Sequence, residues 1–305
     1  MNDCIIVGGG IAGLQAAIQL GRYSAHDILV IDNGSGRSTL CRNYHNILGW
    51  PEGISGKELR SLGRQQAESV GVQFANDTVK KAEAKNSSFL LTGESGKEYN
   101  AKTILLATGL TDRFPNIPGL VPTLGCTVYV CPDCDGYEVQ NRKTVVLGAG
   151  KSGADMALLL RDRTDDLTYI NHEKTAVDDD LIGQLKNKGI AYVEKTITKV
   201  ECQGDGMIQG VKLEDGTVIS AERGFISFGG NKVHSELAAQ LGAELEHNKH
   251  VKADPRSKMT NVTNVWIAGD LGVHAEQTTV AMGDGATAAI WIHKALKEMD
   301  DAAKT

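Results

Sequence analysis

The feature that most constrains this chain is a glycine-rich turn near its start. Residues 4–7 (CIIV) form an apolar run suited to a buried strand, and residues 8–13 read G-G-G-I-A-G. An alanine- and leucine-rich stretch, residues 14–22, predicts a helix, and a second apolar run, residues 28–31, ends at Asp32. A βαβ unit that binds a dinucleotide typically shows this order: a strand, the G-x-G-x-x-G motif, a helix, a second strand and an acidic residue.

Each residue type in this motif has a physical role. Gly8 permits the tight turn, Gly10 lets the backbone approach a pyrophosphate, and Gly13 lets the helix pack closely on the strand. The phosphates would then meet the free N–H groups at the start of the helix. Asp32 lies 19 residues beyond Gly13, where a carboxylate can bind a ribose hydroxyl.

The pattern recurs in the middle of the chain. Residues 144–147 and 167–170 predict strands, residues 154–161 predict a helix, and residues 148–153 read G-A-G-K-S-G. Two such units predict an α/β protein with two Rossmann-like, doubly wound domains. The residues that we predict for a second nucleotide, a nicotinamide dinucleotide, are Gly148, Gly150, Ser152 and Gly153.

The bulk composition narrows the class of partner. A length of 305 residues suggests about two domains. The net charge of −6 and the lack of a Lys/Arg-rich run argue against a nucleic-acid partner. The sequence has no apolar run of about 18 residues and no signal-peptide pattern at its start. We therefore expect a cytoplasmic protein with no membrane partner.

Two of the six cysteines stand in a C-x-x-C pair, Cys131 and Cys134. Such pairs in cytosolic proteins are redox-active or metal-binding. Zinc is the structural alternative, with Cys126 as a third thiolate, but the sequence offers no fourth ligand in a recognised spacing. We therefore expect a redox pair and no metal. The remaining cysteines, which we expect to be buried free thiols, are Cys4, Cys41, Cys126 and Cys202.

Further motifs make the predicted class of protein more specific. Residues 103–109 (TILLATG) and 265–270 (VWIAGD) are strands that end in small-residue turns, and residues 283–289 predict a helix of small residues. Together with the first glycine motif and residues 131–136 (CPDCDG), they resemble the low-molecular-weight thioredoxin reductase family of flavoproteins. The resemblance extends over nearly the whole chain and includes residues 46–56, which are similar to a family segment near the flavin.

The resemblance implies a discontinuous FAD-binding domain, residues 1–115 and 232–305. A pyridine-nucleotide-type domain, residues 116–231, would be inserted into it and carry the cysteine pair. Asp270 would contact the ribityl chain of FAD, and the backbone after Gln277 would lie near the flavin ring. Beyond the first glycine motif and Asp32, the FAD-binding residues that we expect are Asn46, Thr108, Gly109, Gly269, Asp270, Gln277 and Thr278.

The resemblance also implies a mechanism. Cys134 would face the flavin, and Cys131 would attack a partner disulfide, with Asp135 managing the proton of a departing thiolate. The expected protein is a homodimeric, FAD-dependent thiol–disulfide oxidoreductase that acts on a thioredoxin-like protein or a small disulfide. His45 and His274 fall in segments that the family has near the flavin.

The nicotinamide site departs from the family pattern. Where NADPH-using relatives carry an arginine cluster, residues 171–173 read N-H-E, and three aspartates follow at residues 178–180. Negative charge repels the 2′-phosphate of NADPH. Three possibilities remain open: NADH as donor with Glu173 as a ribose ligand, a reduced ferredoxin as donor, or no nucleotide at this domain. Glu276 stands where the family often has arginine.

Two other functions stay open from the sequence. Residues 134–138 (CDGYE) are similar to the C-H-G-Y-E run of dithiol oxidases, which pass electrons from a dithiol to oxygen, although Asp135 replaces their histidine. The altered second motif also leaves open a non-catalytic FAD-binding redox sensor.

Overall fold

The computed structural model describes residues 1–304, and they form two compact units. Unit 1 comprises Met1–Thr39, Gly56–Thr111 and the chain from Val233 onward. Unit 2 comprises Leu40–Ser55 and Asp112–Lys232. Unit 1 is therefore discontinuous, and residues 40–55 cluster with unit 2 rather than with the residues around them in sequence. The predicted domain boundaries differ from these units chiefly in that segment, and their assignment to particular cofactors stays a prediction.

Unit 1 is built on a seven-stranded sheet. Its strands are β1 (Asn2–Val7), β2 (Ile28–Asp32), β3 (Gln73–Asn76), β4 (Val79–Lys85), β5 (Ser88–Gly93), β6 (Glu98–Leu106) and β17 (Val265–Ile267). They lie in the order β3-β2-β1-β6-β5-β4, with β17 also paired to β6. Strands β1, β2, β3, β6 and β17 pair in parallel, whereas β4, β5 and β6 pair antiparallel. Two short strands are β7 (Leu110–Thr111) and β16 (Lys232–Val233).

The apolar run of β1 shows why this sheet is buried on both faces. Ile5 and Val7 pack into one hydrophobic cluster, and Cys4 and Ile6 pack into another. Successive side chains of a strand point to opposite faces, so a strand covered on both sides reads as a continuous apolar run. The first glycine motif is therefore presented at the end of a strand that the core holds on both sides.

Unit 2 contains a second parallel sheet, in the order β11-β10-β9-β15-β8, and a three-stranded antiparallel sheet, β12-β13-β14. Their strands are β8 (Val128–Tyr129), β9 (Thr144–Gly148), β10 (Leu167–Asn171), β11 (Ala191–Val193), β12 (Ile197–Gln203), β13 (Met207–Leu213), β14 (Val218–Ser220) and β15 (Arg223–Ser227). The parallel strands of the mixed sheet in unit 1 and the parallel sheet in unit 2 confirm the predicted α/β class with two Rossmann-like folds.

Helices are present at the three predicted places, residues 14–22, 154–161 and 283–289, and the remaining helices were not predicted from the sequence. They are α1 (Ile11–Gly21), α2 (Gly56–Ser69), α3 (Pro132–Asp135), α4 (Gly150–Leu160), α5 (Asp179–Asn187), α6 (Glu236–Gln240) and α7 (Thr278–Ala302). Helix α7 is far longer than the predicted residues 283–289. Its small residues allow a close approach, because a Cβ atom at Gly285 would overlap the carbonyl oxygen of Ala12 in α1. In residues 1–304, none of the helices has the length and apolar character needed to cross a bilayer.

Candidate functional site

The first glycine motif forms a tight turn at the start of α1. Gly8 has a φ of +110°, and a Cβ atom there would overlap the carbonyl oxygen of Ala107. A Cβ atom at Gly13 would overlap the carbonyl oxygen of Gly8, so the helix approaches the strand as closely as the sequence predicts. Thr108, which follows Ala107, donates through Oγ1 to the carbonyl oxygen of His234 at 2.7 Å.

Gly10 faces open space at the beginning of this helix. It is the N-cap of α1, with φ −74° and ψ −174°, and a Cβ atom built on it would meet no heavy atom within 4 Å. Gly109, with a φ of +60°, also faces open space. The N-terminus of a helix carries unpaired N–H groups and partial positive charge. This cradle therefore has the shape and polarity that the pyrophosphate of FAD requires.

Asp32 lies at the end of β2 with its carboxylate turned toward the same turn. Its Oδ1 accepts from the N–H of Gly9 at 3.0 Å, and its Oδ2 accepts from Gly34 N at 3.2 Å and Arg60 Nη2 at 2.9 Å. A carboxylate has about four lone-pair sites. Oδ1 thus keeps the capacity to accept a hydroxyl hydrogen, which fits the predicted role toward a ribose.

Gly269 and Asp270 lie close to the start of α1 as well. A Cβ atom at Gly269 would come within 2.9 Å of the Cβ of Ala12. Arg37 Nη1 contacts Asp270 Oδ2 at 3.2 Å and Glu276 Oε2 at 2.7 Å. Burial raises the pKa of Asp270, and the charge of Arg37 opposes that rise. One guanidinium thus holds two carboxylates, one of which is the predicted ribityl ligand.

The start of α7 supplies the last of the predicted FAD residues. Gln277 is the N-cap of α7, and Thr278 is its first residue. His274, a candidate for flavin chemistry, instead pairs with Asp284 inside unit 1, and Asp284 also contacts Lys258 Nζ at 2.8 Å and accepts from Gly269 N at 3.2 Å. The hydrogen bond to Asp284 raises the pKa of His274. These contacts give His274 a role in holding Asp284 beside the Gly269 turn.

In unit 2, Cys131 and Cys134 are joined by a disulfide, with their Cα atoms 5.3 Å apart. Cys131 is the N-cap of the short helix α3, and its Sγ accepts from the N–H of Cys134 at 3.1 Å. Pro132 occupies the first helical turn, where its missing N–H is tolerated. Both cysteines are half-buried. The sequence around the pair therefore fixes a disulfide at the start of this short helix.

Asp135 follows this pair and is half-buried. Burial, and secondarily the charge of Glu138, raise the pKa of Asp135 to about 7. The thiol of Cys41 is affected in turn, since burial and then the charge of Asp135 raise its pKa to about 12. A Cβ atom at Gly136 would lie 3.4 Å from the Arg163 guanidinium. A carboxyl group with a pKa near neutrality, on the residue that follows Cys134, is a candidate for proton transfer.

A histidine–carboxylate pair lies next to this turn. His45 Nδ1 is 3.2 Å from Glu138 Oε1, and His45 Nε2 is 2.8 Å from Asn43 Nδ2. Both His45 and Asn46 are exposed residues of the segment that clusters with unit 2. Their predicted proximity to the flavin stays a prediction, and the contact that the structure describes for His45 is with Glu138.

The second glycine motif begins α4, as predicted, but its surroundings differ from those of the first. Asn171, which pairs with Gly148 in the sheet register, stands where Asp32 stands beside the first motif. Glu173, the predicted ribose ligand, is instead held by both terminal nitrogens of Arg113, at 2.8 and 3.0 Å. The hydroxyl of Ser227 donates to the carbonyl oxygen of Ser152 at 2.9 Å.

The free cysteines only partly match the expectation of buried thiols. Cys4 is buried, Cys41 and Cys126 are half-buried, and Cys202 is exposed, so the expectation was wrong for Cys202. Cys126 Sγ donates to the carbonyl oxygen of Asp205 at 3.4 Å. Among residues 1–304, His, Cys, Asp and Glu side chains form no group of three or more that could hold a metal ion.

Sequence reasoning missed several polar partners. Strand register could have identified Asn171, because it ends the strand that corresponds to β2. No local signal marks the others, whose partners lie far away along the chain. The missed residues are Arg37, Arg60, Arg113 and Asn171, with Glu138 as the partner of His45.

Comparison with known proteins agrees with this geometry. The sequence pattern of the family described as pyridine nucleotide-disulphide oxidoreductase matches residues 2–285. The thioredoxin reductase of Treponema pallidum (strain Nichols) is 30% identical over 296 residues, which is 94% of each chain. The atypical thioredoxin reductase TRi from Desulfovibrio vulgaris Hildenborough is 30% identical, with a TM-score of 0.55 over 98% of this chain and 99% of that one. The crystal structure of HlmI superposes with a TM-score of 0.89 at 26% identity, over 99% of this chain and 94% of that one.

The chain therefore belongs to the pyridine nucleotide-disulphide oxidoreductase family. Within it, the chain is of the thioredoxin reductase type, a flavoprotein disulfide oxidoreductase. The predicted family, fold class, enzyme class and flavin cofactor are thereby confirmed. Because the chain is an enzyme, the sensor alternative is set aside.

Proposed function

We propose that this protein is an FAD-dependent thiol–disulfide oxidoreductase whose disulfide between Cys131 and Cys134 exchanges electrons with a partner dithiol or disulfide. The observation that carries the proposal is the half-buried disulfide at the start of α3, followed directly by Asp135, whose pKa is raised to about 7. A buried structural disulfide would have no need of an adjacent proton donor.

The residues of unit 1 that would hold FAD surround the start of α1. Gly8 and Gly13 form the turn, Gly10 leaves space for the pyrophosphate, and Asp32 would accept from a ribose hydroxyl. Asp270 is the proposed ribityl contact, with Arg37 beside it. When bound, FAD supplies a two-electron donor or acceptor. The other proposed contacts in unit 1 are Thr108, Gly109, Gly269, Gln277 and Thr278, and Asn46, in the segment that clusters with unit 2, is proposed as a further contact.

The chemistry of the cysteine pair is thiol–disulfide exchange. A thiolate of a partner dithiol attacks one sulfur, and a mixed disulfide forms as the bond between Cys131 and Cys134 breaks. The second partner thiol then displaces the enzyme sulfur, so the partner loses two electrons and two protons and the enzyme becomes a dithiol. Asp135 in its protonated form would donate to the departing thiolate. In the reverse direction the same steps reduce a partner disulfide, and Cys131 is the proposed sulfur for attack on that partner.

The proposed partner is a thioredoxin-like protein or a small disulfide, in keeping with the relatives called thioredoxin reductases. The proposed assembly is a homodimer, and the proposed location is the cytoplasm. The sequence leaves NADH, NADPH or a reduced ferredoxin open as electron donor of a reductase, and the pairing of Glu173 with Arg113 favours a donor other than a nicotinamide.

A dithiol oxidase that uses oxygen is the second candidate function. The observation that favours it is the altered second glycine motif, where Glu173 is bound by Arg113 instead of being free for a ribose. Hydrogen peroxide formed from a dithiol and oxygen, with nicotinamide absent, would support the oxidase over the reductase.

The proposal is tested with Cys131→Ser and Cys134→Ser, purified with flavin bound. Each variant should retain the yellow flavin but lose turnover of dithiols and disulfides at least about 100-fold, because a single sulfur cannot complete the exchange. Cys202→Ser, which changes an exposed free cysteine, is the matched control and should behave like the original protein. Undiminished activity in either variant of the pair would end the proposal.

A further inference from the structure

We infer that the second glycine motif does not accept a nicotinamide dinucleotide, because residues 171–176 of the same chain already cover its phosphate cradle and Arg113 already binds the candidate ribose ligand, Glu173. Residues 171–176, the covering segment, connect β10 to the loop before α5. The inference concerns a different site from the cysteine pair and does not depend on the thiol chemistry proposed above.

The glycines of the two motifs stand at matching positions in the sequence, but their backbones differ. Gly10 is the N-cap of α1 with a φ of −74°, whereas Gly150 is the first residue of α4 with a φ of +50°. A Cβ atom on Gly150 would lie 3.0 Å from Thr175 Cγ2 and 3.5 Å from the carbonyl oxygen of Ala176. Gly150 is buried, and Gly10 is not. Residues 175 and 176 therefore lie against the turn at which a pyrophosphate would have to approach the backbone.

Asn171 closes the cradle from the sheet side. Its Oδ1 accepts from the N–H of Gly150 at 3.1 Å, so one of the N–H groups that would face a phosphate already has a partner. Its Nδ2 donates to the carbonyl oxygen of Thr175 at 2.7 Å and to the hydroxyl of Tyr192 at 3.0 Å. Asn171 is fully buried, so these bonds fasten the covering segment over Gly150 from within.

The candidate ribose ligand, Glu173, is also engaged. It accepts from both terminal nitrogens of Arg113, and the same guanidinium donates to the carbonyl oxygens of Gly229 at 2.8 Å and Phe228 at 2.8 Å. A bidentate guanidinium–carboxylate pair is a specific, well-oriented interaction. Glu173 is therefore engaged, and Arg113 is not free to clamp a 2′-phosphate. The acidic residues 178–180 add negative charge just beyond.

A nucleotide could enter only if the covering segment moved away. That movement would break the three hydrogen bonds of Asn171 and the pairing of Glu173, and each buried hydrogen bond left unreplaced weakens binding by about tenfold. Even two such losses would reduce affinity about 100-fold. We therefore expect no saturable binding of NADH or NADPH at this motif up to about 1 mM, the upper end of usual KM values.

The test uses the intact, flavin-loaded protein. Isothermal titration calorimetry with NADH and then with NADPH measures binding, and hydrogen exchange locates it in peptides that span residues 148–155 and 171–176. The expected result is no saturable heat and no change in exchange at either peptide. Saturable binding together with slower exchange at residues 148–155 would overturn the inference.

Lys151→Glu keeps the test decisive if binding is seen. Lys151 is exposed at the first turn of α4 and pairs with Asp155, so its replacement leaves the core intact. A pyrophosphate in the cradle would lie beside this position, and the charge reversal should then weaken binding at least about fivefold. Weakening of that size would overturn the inference. If Lys151→Glu does not change the affinity and hydrogen exchange at residues 148–155 is also unchanged, the nucleotide binds elsewhere, and the inference is supported. Neither measurement reads thiol chemistry, so the result is separate from that of the cysteine variants.

Discussion

Replacing Asp135 with asparagine should change how the stability of this protein depends on pH. The pKa of Asp135 is raised to about 7, first because burial disfavours its charged form and second because Glu138 is nearby. The folded chain therefore holds this proton over a pH range in which the unfolded chain, with a pKa near 3.9, has lost it. The stabilising contribution of this proton to the free energy of unfolding is present in full below about pH 4 and is lost as the pH rises through 7.

The magnitude follows from the same two pKa values. Their difference corresponds to at most about 4 kcal/mol, and the part lost between pH 5 and pH 8 is about 3 kcal/mol. Asp135 is partly exposed, so solvent screening reduces this to about 1–2 kcal/mol. Asp135→Asn removes the titration. The free energy of unfolding of the variant, relative to the original protein, should thus rise by about 1–2 kcal/mol from pH 5 to pH 8.

The assay is urea unfolding of the oxidised, flavin-loaded proteins at pH 5, 6, 7 and 8. Asp133→Asn, on the same turn but exposed, is the matched control and should give a pH-independent difference. Glu138→Gln should reduce the pH dependence, because it removes the charge that adds to the effect of burial. Equal pH dependence in Asp135→Asn and the original protein would refute the assignment of a neutral-range pKa to this carboxyl group.

Three further predictions concern unit 1 and the assembly. Gly10→Ala should change the free energy of unfolding of the flavin-free protein by no more than about 0.5 kcal/mol, because the backbone there is unstrained and the space is open. The same variant should weaken FAD binding at least about tenfold in a fluorescence titration. Gly8→Ala, at a φ of +110° and against the Ala107 carbonyl, should instead lower stability by about 3 kcal/mol, and equal effects of the two variants would contradict this account. Arg37→Ala should lower the free energy of unfolding, measured in urea at pH 7, by about 2 kcal/mol, because it leaves Asp270 buried without the positive charge of Arg37. The loss of stability should become smaller toward pH 4, as carboxylates protonate. A loss that does not vary with pH would contradict this prediction. Light scattering should give the mass of a dimer, and a monomeric mass would exclude the proposed assembly.

Much of the fold and part of the site could be predicted from the sequence. The turn of the first glycine motif needs a positive φ at Gly8 and close contacts at Gly8 and Gly13, and only glycine can satisfy these requirements. The sequence motif by itself therefore predicts the turn. The C-x-x-C spacing likewise places two sulfurs within disulfide reach in one helical turn. The backbone angles of the turn and the spacing of the two cysteines depend on neighbours within a few residues, whereas the contact of Gly8 with Ala107 does not. The same holds for the buried strand β1, whose apolar run indicates a sheet covered on both faces.

The second glycine motif shows where such local reasoning ends. Its three glycines stand at the same positions as those of the first motif, and the pattern correctly predicts strand, turn and helix α4. They do not predict that Thr175 covers Gly150 or that Arg113, 60 residues away, binds Glu173. Backbone geometry is a property of the motif itself, whereas the space in front of it is a property of whatever the rest of the chain brings there.

The sequence by itself thus determined the strands, the glycine turns and the cysteine pair, because each is specified by interactions along a short stretch of chain. Only the tertiary structure decided which charges meet. Arg37 reaches Asp270 across 233 positions and His45 meets Glu138. Such pairings depend on how the sheets stack and where the loops return, and the burial that shifts the pKa of Asp135 exists only once the chain has folded around it.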